Sequence, residues 1–362
     1  MAGRYLGALA VAVLALGVAD KPALAGPPAC TCQNLESLQQ EYQNAVFLEG
    51  YMQRLAAQLK AEEERLKGLK LSTNTDPDQN LNIVATVAQV RTAYEKANLH
   101  LPFPATKGYT GPERVPMSPG TCEQAQADLD AMEQGSPCEA IADMALAHEL
   151  GHRDICDRLG APAYWGRMLS EIALEEAGMY KIQAGNLKGE LRRVLEASEI
   201  TLKGEWRHVI SGGDVELTYF YQFQSGDIGG ASKGDTWTMA GKGETQNSIE
   251  SMKIPGVSCT SSGAVRNDFE VAVTTDGLTF GLDYADRNTG GDLKLICDGG
   301  MSMVVPTGEA SSGKLASGQP LVAGDNPVPN AWADAMMALA ASEGMSISGE
   351  PKTMLSVTCK AP

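Results

Sequence analysis

The sequence predicts an α+β protein, in which a helical region is followed by an antiparallel β-rich region that forms a sandwich or a barrel. Two observations support this class. Before about residue 198, apolar residues recur at the spacing of amphipathic helices, whereas the chain after it is rich in Gly, Ser and Thr and carries short β-prone runs. We therefore expect a signal peptide at 1–25, a helical domain at 26–197 and a β-rich domain at 198–362.

The first 25 residues have the layout of a secretory signal peptide. Arg4 precedes an apolar run at 6–18, and the small residues of Ala23-Leu24-Ala25 stand before Gly26. The run is shorter than the roughly 20 residues that a spanning helix needs, so we expect no stable membrane insertion. We predict cleavage after Ala25 and a secreted or periplasmic protein.

Three helices are expected around the central part of the helical domain. Leucines and a methionine recur over 35–69, which predicts a long helix packed on its own domain, with a coiled-coil seam as the less favoured alternative. A second helix is expected near 83–99. A proline-punctuated segment at 102–119 follows, which either covers a cleft or serves as a connector. A further helix is expected at 164–194.

Seven β-prone runs predict the strands of the C-terminal region. The alternation in Phe269-Glu270-Val271-Ala272-Val273 is typical of a strand with one buried face. One helix, near 331–342, interrupts the runs. They span 215–224, 235–239, 269–274, 278–284, 293–297, 301–305 and 354–358.

Eight cysteines lie after the predicted cleavage site, and an even number in an exported protein predicts disulfides. Cys138 and Cys156 should not pair with each other, because a continuous helix between them would hold them about 27 Å apart. Five cysteines precede residue 198 and three follow it. Complete pairing therefore requires at least one bridge between the two regions.

The formal net charge is −16 at pH 7. A surface of this sign repels the phosphates of nucleic acid. We therefore expect no nucleic-acid partner.

The segment His148-Glu149-Leu150-Gly151-His152 is the strongest functional signal in the chain, which has only four histidines. It lies in a predicted helix that begins at a capping box, Ser136-Pro137-Cys138-Glu139, and ends at Gly160. Histidines four residues apart share one helical face and can bind one zinc ion, with the glutamate beside them for proton transfer. Here both lie on the apolar face, so ordinary core histidines are the alternative.

A third ligand is expected from the following helix, which carries Glu171, Glu175 and Glu176. Glu176 lies in the middle of the apolar stripe, where an unpaired carboxylate would be costly. Glu175 lies about 100° away and Glu171 on the far side, and both are expected to be solvated. The predicted metal ligands are His148, His152 and Glu176.

In these residues the chain resembles the HExxH zinc metallopeptidases of the gluzincin type, over about residues 136–194. The matching residues are His148, Glu149 and His152, and Glu176 takes the place of the ligand glutamate on a second helix. Tyr180 stands where such enzymes often place an aspartate that supports a histidine. The resemblance implies a zincin-like helical domain that holds Zn²⁺, with Glu149 as general base and a peptide or protein as substrate.

Two other hypotheses follow from the same residues. The chain is either a zinc metallopeptidase or a non-catalytic secreted or envelope protein that retains a zincin-like zinc-binding scaffold. A weaker possibility is that residues 26–135 inhibit the enzyme through a Cys30 or Cys32 thiolate on zinc. Candidate donors to the oxyanion are Tyr164, Tyr180 and His208, each with packing as the favoured alternative.

Overall fold

The computed structural model describes residues 26–61, 115, 117–230, 234–262, 265–290, 293–305, 311–329 and 331–360. The predicted signal peptide, the helix expected near 83–99 and most of the proline-punctuated segment lie outside these ranges. Within them, none of the helices has the length and apolarity of a membrane span.

Helices make up the first region. They are α1 (Leu35–Ala61), α2 (Gln126–Gly135), α3 (Glu139–Leu159), the short α4 (Ala161–Trp165) and α5 (Leu169–Glu196), with α6 (Ala331–Ser342) inside the β-rich region. The helix expected at 35–69 is described to Ala61, and the helix near 331–342 is confirmed. A 3₁₀ turn, Cys32–Asn34, precedes α1 and is capped by Thr31.

The start of α3 differs from the sequence prediction. Cys138 is its N-cap residue, and no side chain caps the helix there. The predicted capping box is wrong because the Ser136 hydroxyl donates to the Met132 carbonyl of the preceding α2 instead, at 3.0 Å. The predicted end is confirmed: Gly160 has φ 79°, a conformation that favours glycine, and its N–H donates to the Cys156 carbonyl.

The helix expected at 164–194 is divided in two. α4 ends at Trp165, and the N–H of Gly166 closes its last turn on the Pro162 carbonyl. The chain is extended at Met168, whose N–H donates to the Glu171 carboxylate at 2.9 Å, and α5 begins at the next residue. The break brings the residues between α4 and α5 back against the side of α5.

The second region is a curved antiparallel sheet, and α+β is therefore the fold class. Its strands are β1 (Ser198–Gly212), β2 (Val215–Ser225), β3 (Trp237–Ile254), β4 (Val257–Ser262), β5 (Val265–Thr275), β6 (Thr279–Gly290), β7 (Leu293–Cys297), β8 (Ser302–Val305), β9 (Ser311–Pro320), β10 (Gly324–Pro327), β11 (Ser346–Ser348) and β12 (Lys352–Cys359). One path through the sheet runs β10-β12-β1-β2-β3-β4-β7-β8. Strands β5, β6 and β9 continue from β3, and β11 pairs with β1. The sheet is nearly closed and barrel-like.

All seven β-prone runs lie in or overlap strands, but β1, β4, β9, β10 and β11 were not predicted, and β1 is the longest of these. Its inward alternation of Ile200, Leu202, Trp206 and His208 is interrupted by Gly204. A Cβ at Gly204 would lie 2.4 Å from the ring of Phe223, its partner on β2, so glycine makes room for an aromatic ring. The same glycine hides the strand pattern in the sequence.

The largest hydrophobic core draws on both regions. It contains Leu35 and Leu38 of α1, Leu187 and Leu191 of α5, and strand residues such as Phe280. Gln39 donates from α1 to the carbonyls of Gly277 and Leu321, each at 2.7 Å. Secondary structure changes between Glu196 and Ser198, at the boundary expected from the sequence, while the division into two domains stays a prediction.

Four disulfides join all eight cysteines: Cys30–Cys138, Cys32–Cys359, Cys122–Cys156 and Cys259–Cys297. Cys138 and Cys156 pair with other cysteines, as expected, and the Cys32–Cys359 bridge links the two regions. Since Cys30 and Cys32 are both oxidised, the proposed thiolate cap on zinc is wrong.

Candidate metal centre

The two motif histidines of α3 lie side by side and face α5. Their ring centroids are 5.0 Å apart, and His148 and His152 are only 9% and 8% exposed. The four-residue spacing places them on one helical face, as the sequence predicts. Burial of two imidazoles in one place requires polar partners.

Glu176 of α5 meets both histidines. Its Oε2 lies 3.3 Å from Nε2 of His148, and its Oε1 lies 3.4 Å from Nε2 of His152. One ligand atom from each of the three side chains lies within 4.8 Å of the other two, so the group could hold a metal ion. The structure thus brings together all three predicted metal ligands.

The outer nitrogens of the two rings are held by other residues of α5. Nδ1 of His148 lies 3.2 Å from Oε1 of Gln183, and Nδ1 of His152 lies 2.6 Å from Oε1 of Glu175. An amide oxygen and an ionised carboxylate only accept hydrogen bonds, so each Nδ1 is the donor. In the neutral form that binds a metal ion, the Nε2 lone pair of each ring therefore faces Glu176.

Two atoms at the centre of the cluster lack hydrogen bonds. Within the described part of the chain, Nε2 of His152 and Oε2 of Glu176 are buried and have no hydrogen-bond partner. Leaving such atoms unsatisfied is costly, more so for an ionised group. A cation placed among the three ligand atoms would satisfy both, and the donor set therefore fits a metal ion.

Glu175 was predicted to be a solvated charge, and this is wrong. Its side chain is only 7% exposed. Besides His152, it accepts a hydrogen bond from the Tyr164 hydroxyl at 3.2 Å and forms an ion pair with Arg167. The guanidinium of Arg167 lies over the Tyr164 ring, 4.0 Å from its centroid. Tyr164 lies in α4 and Arg167 lies between α4 and α5, so the pattern of α5 alone could not reveal either partner.

The carboxylates determine the protonation of the cluster. Burial opposes the charged form of His152, but its hydrogen bond to Glu175 and the negative charges of Glu175 and Glu176 prevail and raise its pKa to about 9. Burial would likewise raise the pKa of Glu176, yet His148 and His152 hold it far below its usual range. His152 and Arg167 lower the pKa of Glu175 against the effect of burial. Positive charge is therefore favoured at this point of the fold.

Glu149, the predicted general base, lies beside the cluster on α3 and is 9% exposed. Its main-chain oxygen accepts a hydrogen bond from Gln124 Nε2 at 3.1 Å, from the segment that precedes α2. That segment is tied to α3 by the Cys122–Cys156 disulfide. The catalytic role of the Glu149 side chain remains a prediction.

The three candidate oxyanion donors are placed differently. The ring of Tyr180 packs against His148 at 4.6 Å, whereas the Tyr164 hydroxyl is directed to Glu175. His208 lies in β1, where it stacks on Trp206 at 4.0 Å and contacts Tyr219. Only Tyr180 touches a predicted metal ligand with its ring.

A groove between α3 and α5 borders the cluster at His148. It holds a cavity of about 230 Å³, lined by apolar side chains such as Met144 and Met179 and by Gln183. Gly151 makes room there, since a Cβ would lie 2.8 Å from the sulfur of Met179. Ile182, at the same groove, is 60% exposed. The cluster is thus close to the molecular surface on this side.

Sequence reasoning did not assign a role to Gln183, Glu175 or Arg167. Gln183 shares the apolar stripe of α5 with Glu176, and a polar residue in such a stripe was the available signal. No comparable signal on α5 itself marks Glu175. Comparison of the chain with protein-family models, with curated proteins and with solved structures finds no match.

Proposed function

We propose that this protein is an exported zinc-dependent metallopeptidase of the HExxH type, with the gluzincin arrangement of ligands. The observation that carries the proposal is the convergence of His148, His152 and Glu176, in which Nε2 of His152 and Oε2 of Glu176 lack hydrogen-bond partners within the described residues. The four disulfides fit an exported protein, because such bonds persist in oxidising compartments.

Zinc is the metal that suits this donor set best. Two imidazoles and one carboxylate form a three-ligand set found in catalytic zinc sites, which keep one position open. Imidazole donors disfavour calcium and magnesium, which bind oxygen ligands. The burial of the histidines and their Nδ1 hydrogen bonds also match the surroundings of zinc ligands in general.

The proposed ligand set assigns a role to each group. When bound, zinc would supply a Lewis acid that activates water and polarises the scissile carbonyl. Glu149 accepts a proton from the attacking water and delivers it to the leaving amine. Tyr180, in contact with His148, is the best placed of the three candidate donors to the oxyanion. The substrate is a peptide or protein.

One observation favours the alternative, a non-catalytic secreted or envelope protein that uses the zinc-binding scaffold for interaction. Glu149 is 9% exposed, and the segment that carries Cys122 and Gln124 lies against its part of α3. A general base needs access to water and substrate. The burial of Glu149 is therefore equally consistent with a structural metal site that catalyses no reaction.

The variant Glu149→Gln separates these functions. It should retain zinc and the fold, and lower the rate of peptide hydrolysis about 10²–10⁴-fold, the usual contribution of general acid–base catalysis. Glu171→Gln, an exposed glutamate at the start of α5, is the matched control and should hydrolyse peptides at the wild-type rate. Hydrolysis undiminished in Glu149→Gln contradicts the catalytic assignment, and wild-type protein that binds zinc but cleaves no peptide supports the alternative.

A further inference from the structure

Each motif histidine is held by a residue of α5 that is not itself a predicted metal ligand. Oε1 of Glu175 accepts a hydrogen bond from Nδ1 of His152 at 2.6 Å, and Oε1 of Gln183 accepts one from Nδ1 of His148 at 3.2 Å. These two contacts are unequal in length and in charge. We propose that Glu175 and Gln183 are the positioning residues of the metal centre, and that Glu175 makes His152 the more firmly fixed ligand. The inference rests on the metal centre of the proposed function and deepens it.

Both carboxylate oxygens of Glu175 are held by neighbouring side chains. Its Oε1 accepts from His152 and from the Tyr164 hydroxyl, and its Oε2 pairs with Arg167. The Arg167 guanidinium is itself stacked on the Tyr164 ring. With a side chain only 7% exposed, the carboxylate has little freedom to turn away from the imidazole. Charge-assisted hydrogen bonds of this kind are roughly twice as strong as neutral ones.

Gln183 provides weaker support of the same kind. Its amide oxygen accepts from Nδ1 of His148 and so selects the tautomer whose Nε2 is available to a metal ion. The amide carries no charge, and the residue lines the groove between α3 and α5. Tyr180, at the position where gluzincins often place a supporting aspartate, instead packs its ring on His148. The two histidines are therefore held by Glu175, which precedes Glu176, and by Gln183, which lies seven residues after it.

This asymmetry predicts opposite effects at the two positions. Glu175→Gln keeps the size of the side chain but removes its charge, and so loosens His152. Gln183→Glu places a carboxylate behind His148 and so supplies the charge-assisted bond that the wild type lacks there. Loss of such an outer partner typically weakens metal binding about 10- to 100-fold. We expect a loss of that size for Glu175→Gln and tighter binding for Gln183→Glu.

The test measures zinc affinity of the full chain by competition with a chromophoric chelator, and the visible absorption of bound cobalt(II) as a record of ligand geometry. Glu171→Gln removes the same charge from an exposed position on α5. Asn186→Asp adds a charge to the same groove three residues beyond Gln183. Both controls should bind zinc as the wild type does. Glu175→Gln should alter the cobalt spectrum, which a purely structural contribution to folding would leave unchanged.

The outcomes separate this inference from the proposed function. Wild-type protein that binds no zinc overturns the metal centre and the inference together. Wild-type and Glu175→Gln proteins with equal zinc affinity and equal cobalt spectra overturn the inference alone. The inference is also overturned if Asn186→Asp tightens zinc binding as much as Gln183→Glu does. The gain would then come from added negative charge near the site and not from a hydrogen bond to His148. If Glu175→Gln does not fold, the comparison of Gln183→Glu with Asn186→Asp still decides, since neither variant changes Glu175, Tyr164 or Arg167.

Discussion

His152 in the helical region and His208 in the β-rich region are both buried, yet their surroundings make them different chemical groups. His152 lies between Glu175 and Glu176, which raise its pKa to about 9 against the effect of burial. His208 lies between Trp206 and Tyr219. Burial dominates there and lowers its pKa, although the backbone of Trp206 partly opposes it. Burial of a histidine therefore does not identify a functional site, whereas converging carboxylates do.

The largest expected effect distinguishes the two histidines by metal binding. His152→Ala removes one of three ligands and should abolish zinc binding at micromolar metal. His208→Ala should retain full zinc affinity but lower the free energy of unfolding by about 3 kcal/mol, because it empties a packed position in the sheet. Chelator competition and urea unfolding measure the two quantities. Equal loss of zinc in both variants would contradict the assignment of His152 as a metal ligand.

A smaller effect concerns the stability of the metal-free protein as pH changes. His152 has a folded pKa of about 9, above its unfolded value of 6.5. The stability it contributes, on the order of 3 kcal/mol, is fully present below the unfolded pKa and is lost as pH rises through the folded pKa. His208 has a folded pKa below 6.5. Its contribution is present above the unfolded pKa and is lost as pH falls.

Urea unfolding with EDTA between about pH 5 and pH 10 would record both slopes. His152→Gln should flatten the alkaline side of the profile and leave the acid side unchanged. His208→Phe, which keeps an aromatic ring in the stack, should do the reverse. An alkaline loss of stability that persists in His152→Gln would show that the carboxylates do not hold a proton on this histidine.

The sequence predicted those parts of the site that depend on one helix at a time. Helical spacing placed His148 and His152 on one face and selected Glu176 from three glutamates. The environment of Glu175 depends on the chain break between α4 and α5, which brings Arg167 and Tyr164 against it. No periodicity within α5 contains that information, because the partners come from another element.

The fold shows the same limit. Cysteine parity correctly required a bridge between the two regions, and this is Cys32–Cys359. Strand β1 was missed because Gly204 interrupts its alternation. A glycine stands there because the Phe223 ring on the neighbouring strand occupies the space of a side chain. The capping box failed since Ser136 bonds back to α2. For β1 and the capping box, a contact with another element outweighed the local pattern.

Zinc content of the purified full chain tests the central claim most directly. After dialysis against trace zinc, elemental analysis should find one zinc ion per chain in the wild type and in Glu171→Ala, and none in Glu176→Ala, which loses the third of three protein ligands. Circular dichroism of each variant checks that the helices are intact. Wild-type protein without zinc, or Glu176→Ala with the same zinc content as the wild type, would contradict the assignment of His148, His152 and Glu176 as one metal centre.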